Sequence, residues 1–155
     1  MDELGYKGIN KAGKDLYTAS EAQAYVARTI MGVAAAGAAE IGWYGANSNG
    51  EWLSLGEQGY PGDAQAYNTM VSWLVGSTPT GCGEVQTGSY TGLAGCYFKA
   101  SNGSQNLILY DINGTLKMTT PTGETMQVSR LNGSTTTLEG GSVLTLNMSP
   151  VLLTT

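Results

Sequence analysis

The chain has 155 residues, of which 41% are hydrophobic and only 12% are charged, and its formal net charge is -5. This length suits one domain or two small ones with a packed core, and the scattered basic residues argue against a surface that binds nucleic-acid phosphates. The sequence contains no histidine, which excludes Ser-His and Cys-His catalytic pairs and imidazole metal ligands, so acid–base chemistry would have to use carboxylates or tyrosines.

The N-terminal residues 2–6, Asp-Glu-Leu-Gly-Tyr, are typical of the end of a strand that runs into a loop. Almost nothing precedes them to form that strand, so we expect the chain to begin part-way through a fold. The start has neither the basic nor the apolar region of a signal peptide, and no stretch is long enough to span a membrane. A secreted or periplasmic location would therefore depend on a signal that this chain lacks.

A helix is predicted to begin near Thr18. Thr18 and Ser20 can each accept a first-turn N–H, and Glu21 and Gln23 follow them by three residues, so two capping boxes overlap. Apolar residues then recur at steps of three and four, and Gly37 predicts the end of the helix.

The helix is followed by an apolar run, residues 41–44, that predicts a short buried strand and then a polar, glycine-rich loop. A helix that returns into a strand is half of a βα repeat, and α/β folds bind ligands beyond the carboxyl ends of their strands. Trp43 and Tyr44 are therefore candidate binding residues, as is Trp52 in the loop. Trp43 could equally be a core aromatic, because strand alternation places it on the same face as Ile41.

A second helix is predicted after the turn at residues 60–62. Asp63 is expected to cap it and Gly76 to end it. One apolar stripe runs along this helix: Ala66, Tyr67, Met70, Val71 and Leu74, with Trp73 beside it.

From Cys82 onward the pattern changes to short alternating strands separated by turn residues, which is typical of a sandwich or small barrel. Strands are predicted at residues 83–87, 95–100, 106–110, 115–119, 124–130, 135–138, 142–147 and 151–153. The turns between them include three Asn-Gly pairs, at Asn102, Asn113 and Asn132, and the pair Gly140-Gly141.

Cys82 and Cys96 are the two cysteines of the chain. A hairpin that turns near Ser89 would place them opposite each other on neighbouring strands. We expect a disulfide, with two buried free thiols as the alternative.

Several motifs together resemble a known family. They are Glu-x-Gly-Tyr at residues 3–6, the helical segment 21–25, Trp43-Tyr44, and the segment 64–67 that leads into residues 73–76. In this order they resemble the end of a clan A retaining glycoside hydrolase, and look most like the family 39 enzymes, whose (β/α)8 barrel is followed by a small β-sandwich. The resemblance covers nearly all of this chain but only the last quarter or so of the family's barrel.

The resemblance implies an α+β fold: a partial (β/α) barrel remnant in residues 1–80, with two helices and one or two short strands, and an antiparallel β-sandwich of about eight strands in residues 81–155. Glu3 matches the catalytic nucleophile of the family, and Trp43 matches the aromatic that forms the floor of its sugar subsite. Tyr44 and Trp52 would add binding surface. Nothing in the chain corresponds to the strand that carries the family's acid/base carboxyl.

Two functions follow as hypotheses. The first is the C-terminal fragment of a secreted retaining β-glycosidase, acting on carbohydrate without a cofactor or metal, with Glu3 as nucleophile. Its unpaired barrel strands would favour homo-oligomers. The alternative is a non-catalytic, self-associating module whose β-sandwich binds carbohydrate or supports another domain. Neither hypothesis involves nucleic acid or a membrane.

Overall fold

The structure, a computed structural model, describes residues 16–43, 55 and 60–155. Three of the predicted site residues, Glu3, Tyr44 and Trp52, lie outside these ranges. The described chain contains two helices, α1 (Ala19–Ala35) and α2 (Asp63–Leu74). Eight strands follow: β1 (Thr78–Glu84), β2 (Leu93–Lys99), β3 (Gln105–Asp111), β4 (Leu116–Thr119), β5 (Met126–Arg130), β6 (Thr135–Leu138), β7 (Val143–Leu146) and β8 (Val151–Thr154).

Helix α1 begins with the first of the two predicted capping boxes. The backbone N–H of Glu21 donates to the Thr18 hydroxyl over 3.3 Å, and the Thr18 N–H donates to the Glu21 carboxylate over 2.8 Å. The N–H and hydroxyl of Thr18 both stabilise the carboxylate form of Glu21, so they lower the pKa of Glu21. The predicted end also holds, because Gly37 adopts a left-handed conformation with φ 84°.

The start of α2 corrects a sequence prediction. Gly62, not Asp63, is the N-cap residue, and its carbonyl accepts the N–H of Ala66 over 2.8 Å. Asp63 is the first helical residue, so its carboxylate turns inward and is buried instead of capping the helix. The left-handed φ of 88° at Gly62 explains the difference, since it places the turn one residue earlier than the Asp63 cap would.

The eight strands form two antiparallel sheets. Six of them pair in the order β1-β2-β3-β8-β5-β6, and β4 pairs with β7 separately. This arrangement confirms the α+β class and is consistent with the predicted β-sandwich. The first strand begins at Thr78, well before the predicted start at Gly83, and its register shifts at a bulge between Pro79 and Gly81. The proline, the bulge and the glycines interrupt the alternation of apolar and polar residues, so the sequence pattern does not reveal the start of this strand.

The six-stranded sheet lies between the helices and the β4–β7 pair, so the described chain has two cores. On the helix side, the buried residues are Ala22, Val26, Ala27, Ile30, Met31, Ala66, Met70, Cys96, Phe98, Ile108, Leu131 and Leu152. On the other side, they are Leu109, Val128, Leu144, Leu146, Val151 and Leu153. Arg28 joins α1 to the sheet as well, because its guanidinium lies 4.5 Å from the ring centroid of Tyr110.

The strand predicted at residues 41–44 does not form in the described part of that segment. Trp43 makes a single β-bridge, Ile41 is half-buried and Gly42 is exposed. The apolar face of α1 is already covered by α2 and by the six-stranded sheet, so it does not require a barrel strand as its partner. The barrel remnant and the division into residues 1–80 and 81–155 stay predictions.

Candidate functional site

Trp43 is the one predicted sugar-binding residue that the structure describes. It is half-buried against the helix-side core, and the edge of its ring system meets Tyr67, with ring centroids 6.4 Å apart and planes at 75°. Such an edge-to-face contact is a common way of packing core aromatics. The geometry therefore favours the interpretation of Trp43 as a packing residue.

The predicted disulfide is confirmed. Cys82 of β1 lies directly opposite Cys96 of β2, with their Cα atoms 4.1 Å apart, and the two sulfur atoms are bonded. Cys96 is 4% exposed and belongs to the helix-side core, whereas Cys82 is exposed. The disulfide thus connects an exposed edge strand to the interior of the molecule.

An open groove lies on the opposite face of the same two strands. Strand alternation directs Cys96 and Phe98 to the helix side and Tyr97 to the side of the β4–β7 pair, where Tyr97 is 48% exposed. The groove beside this ring has a volume of about 540 Å³. Its lining residues are Gly81, Cys82, Gly83, Glu84, Val85, Leu93, Ala94, Gly95, Tyr97, Leu107, Leu109 and Met118.

Three glycines keep this groove open. In the sheet register Gly81 is opposite Tyr97, and Gly83 is opposite Gly95. A Cβ atom at Gly95 would collide with the carbonyl oxygen of Ile108 and with a neighbouring side chain, so packing requires glycine there. At Gly81 and Gly83, by contrast, a Cβ would meet no described atom within 4 Å. Glycine in a strand interior weakens the strand, and close packing does not explain either glycine, although Gly81 adjoins the bulge, where glycine is common.

The polar groups of the groove come mainly from the backbone. The N–H of Val85 donates to the carbonyl of Leu93 over 2.8 Å. Gly81 and Gly83 precede Val85 at steps of two residues, so all three direct their backbone N–H and C=O groups toward β2. The residues between them, Cys82 and Glu84, therefore direct their backbone N–H and C=O groups toward the free edge of β1. Glu84 is the sole charged residue of the lining, and alternation places its side chain on the face of Cys82, away from Tyr97.

Sequence reasoning missed this groove, although the sequence contains a signal for it. Tyr97 lies between Cys96 and Phe98, which the alternation predicts to be buried. Gly81 pairs with Tyr97 across the strands, and Gly95 is its neighbour on the same face of β2. An aromatic on the outward face of a strand whose neighbours have no side chains is an indicator of a binding surface.

A second cleft, of about 620 Å³, lies between the C-terminal ends of the two helices and the start of β1. Its lining is mostly aliphatic, from residues such as Ile30, Val71 and Leu74, and contains no charged side chain. Among the described lining residues, Tyr67 is the one with a titratable side chain, and none has a carboxylate.

The most unusual titratable group of the described residues is Asp63. Its side chain is 1% exposed, and within the described residues neither carboxylate oxygen has a hydrogen-bond partner of good geometry. Burial raises the pKa of Asp63 to about 7, and the Tyr60 backbone offsets this only in part. Asp63 belongs to α2, on the face of the sheet opposite the groove, so it is not part of the Tyr97 surface.

The described residues contain no cluster of three His, Cys, Asp or Glu side chains that could hold a metal ion. The buried Asp111 uses its Oδ1 to accept the N–H of Asn113 over 3.1 Å. In the same part of the chain, neither helix has the length and hydropathy required to cross a membrane.

The chain matches no protein-family model and no curated protein. Function is therefore inferred from the groove and from the resemblance in the sequence.

Proposed function

We propose that this chain is a carbohydrate-binding accessory module and that it binds neutral sugars in the groove beside Tyr97. One observation carries the proposal: an exposed tyrosine ring adjoins two glycines, Gly81 and Gly83, for which the packing of the chain gives no reason. The proposal retains the family context, in which the module belongs to a secreted glycosidase of the barrel-plus-sandwich type.

The chemistry of the groove suits a sugar ring. The C–H face of a pyranose packs on a tyrosine ring, and the absence of side chains at Gly81 and Gly83 leaves room for the ring to lie flat. The N–H and C=O groups of Cys82 and Glu84, which point away from β2, can pair with sugar hydroxyls at the edge. The volume lies within the range of about 300–1,000 Å³ that is usual for small-ligand sites.

The described lining of the groove contains no lysine or arginine, which favours a neutral sugar, although Lys99 lies two residues after Tyr97 on the same face of β2. A uronic acid or a sugar phosphate would bring a negative charge to a surface whose described lining offers no lysine or arginine. Neutral oligosaccharides avoid this desolvation cost. Secretion is part of the same proposal, supported by the disulfide, since such bonds persist in oxidising compartments.

The direct test is titration of the protein with neutral hexasaccharides built from glucose, xylose or mannose. We expect at least one of them to bind, and Tyr97→Ala to weaken that binding by about tenfold or more. The matched control is Tyr90→Ala, because Tyr90 is 47% exposed and lies outside the groove lining. Equal loss in both variants, or no binding by any of the sugars, would remove the proposal.

The resemblance supports a second proposal, in which Glu3 acts as the nucleophile of a retaining glycosidase. Such a reaction requires another carboxyl about 5–5.5 Å away, which would first donate and then accept a proton. The test compares hydrolysis of aryl β-glycosides by the wild-type chain and by Glu3→Gln. Equal background rates would leave the module without catalytic function, whereas loss of a measurable rate in the variant would support this proposal.

We also propose that the chain self-associates through unpaired barrel strands, because open strand edges favour pairing between chains. Light scattering coupled to size-exclusion chromatography tests this. A monomer at all concentrations would contradict it.

A further inference from the structure

Strand β1 is one of the two edge strands of the six-stranded sheet. Among the described strands, it pairs with β2 alone. Of its seven residues, six are exposed and one is partly buried, so it contributes no buried side chain to either core. Its sequence also includes a proline, two glycines and a bulge. Each of these features weakens a strand.

The disulfide acts on this weak strand at the place where it borders the groove. Cys82 stands between Gly81 and Gly83, the two groove glycines of β1, and its bond to Cys96 anchors them to the helix-side core. Without that bond, β1 is held by its backbone hydrogen bonds to β2, by the contact from the Thr80 hydroxyl to the Tyr97 carbonyl, 3.3 Å, and by the packing of its first residues near α1.

We propose that the Cys82–Cys96 disulfide is a redox clamp on the groove: its reduction releases β1 from the sheet and removes one side of the binding surface. The release of β1 follows from the strand's own structure. The consequence for binding rests on the carbohydrate-binding function proposed above.

The exposed position of Cys82 gives a dithiol reductant access to the bond. One thiolate of the reductant attacks the sulfur of Cys82, the sulfur–sulfur bond breaks, and Cys96 leaves as a thiolate that takes up a proton. The second thiol of the reductant then attacks the mixed disulfide and displaces Cys82, which is protonated in turn. Two electrons pass to the protein, and the reductant ends as a disulfide.

Amide hydrogen exchange tests the clamp without reference to any ligand. In the reduced protein we expect exchange in β1 to increase by about tenfold or more, while exchange in β5 and β8 stays unchanged. Cys82→Ser, without reductant, should reproduce this pattern, because the substitution lies at an exposed position and leaves the buried Cys96 in place. Unchanged exchange in β1, in both the reduced protein and the variant, would overturn the proposal.

Titration with the neutral hexasaccharides tests the consequence for binding. The oxidised protein should bind at least about tenfold more tightly than the reduced protein, with Cys82→Ser behaving as the reduced form. Equal affinity for the sugars in the two redox states would show that the disulfide does not control binding in the groove. If the oxidised protein binds none of the sugars, the carbohydrate-binding function fails, and the exchange experiment still decides whether the disulfide holds β1 in place.

Discussion

Gln23 of α1 donates a 2.6 Å hydrogen bond from Nε2 to the carbonyl oxygen of Pro61, in the turn that leads into α2. The sequence had offered Gln23 as part of a capping box with Ser20, but the side chain instead fastens one helix to the start of the other. The next residue, Gly62, has φ 88°, and a Cβ there would collide with the Gln23 amide. The helix pair is therefore positioned by a contact that needs both a glutamine and a glycine.

The first prediction concerns this contact. Gly62→Ala should destabilise the protein by about 2–3 kcal/mol, from the strain of a left-handed alanine and the displacement of Gln23 from Pro61. Gly37→Ala is the matched control, because Gly37 has φ 84° but no described atom within 4 Å of its would-be Cβ. Gly37→Ala should lower the free energy of unfolding by about 1 kcal/mol, because it introduces the backbone strain without a collision. Urea unfolding measures both.

A double-mutant cycle isolates the contact itself. Gln23→Ala removes both the hydrogen bond and the collision, so Gly62→Ala should cost about 1 kcal/mol less in that background than in the wild type. Strict additivity of the two substitutions would show that Gln23 and Gly62 do not interact in solution.

The second prediction concerns the pH dependence of stability. The pKa of Asp63 is raised by burial to about 7 in the folded protein, and an unfolded aspartate titrates near pH 4. Between about pH 4 and pH 7 the folded state therefore keeps a proton that the unfolded state releases, so Asp63 reduces stability progressively across this window. Asp63→Asn, which stays neutral, should leave the melting temperature unchanged at pH 4 and raise it above pH 7.

The helix dipole supplies the competing effect in this experiment. A carboxylate in the first turn of α2 is favoured by the partial positive charge there, by about 0.3–1 kcal/mol at an exposed position. If Asp63→Asn instead lowers the melting temperature at pH 8, the stabilisation of the carboxylate by the helix dipole is larger than the cost of burying its charge. A difference between the two proteins that does not change with pH would also contradict the prediction.

The third prediction distinguishes the two capping boxes of α1. Thr18→Ala should cost about 1 kcal/mol of unfolding free energy, because the Glu21 N–H loses its acceptor and Glu21 loses a donor. Ser20→Ala is the control, since Ser20 is exposed and lies between Thr18 and Glu21 without being either of the two residues of the box. Surface substitutions of this kind usually change stability by less than about 0.5 kcal/mol. Equal effects at both positions would mean that the Thr18 box is not used.

Local signals in the sequence predicted much of the fold. The strands after residue 90 fall near their predicted positions because Asn-Gly turns separate them, and glycines 103, 114 and 133 in those turns all have positive φ. The order of the strands in the sheet was beyond such signals, because pairing between β3 and β8 depends on contacts distant in sequence. The first strand was misplaced because its bulge and glycines interrupt the alternation on which the prediction relied.

The site was harder to predict than the fold. The sequence left Trp43 as either a sugar-binding residue or a core aromatic, and its contact with Tyr67 in the folded chain favours the packing role. The glycines that pair with or adjoin Tyr97 are a local signal for the groove, but the exposure of Tyr97 also depends on how far β4 and β7 extend over the sheet. The extent of that second layer is a property of the folded chain, which no local pattern encodes.

The last prediction separates binding from folding at two glycines that face each other. Gly83→Val should keep or slightly increase stability, because no described atom lies within 4 Å of its would-be Cβ and a β-branched residue suits an edge strand. The same side chain would fill the groove beside Tyr97, so hexasaccharide binding should fall by about tenfold or more. Gly95→Ala, opposite Gly83 in the register, should instead destabilise the fold by about 1–3 kcal/mol, because its Cβ would collide with the Ile108 carbonyl oxygen. Urea unfolding and hexasaccharide titration of both variants measure the two effects separately, and wild-type affinity in Gly83→Val would mean that sugars do not occupy this groove.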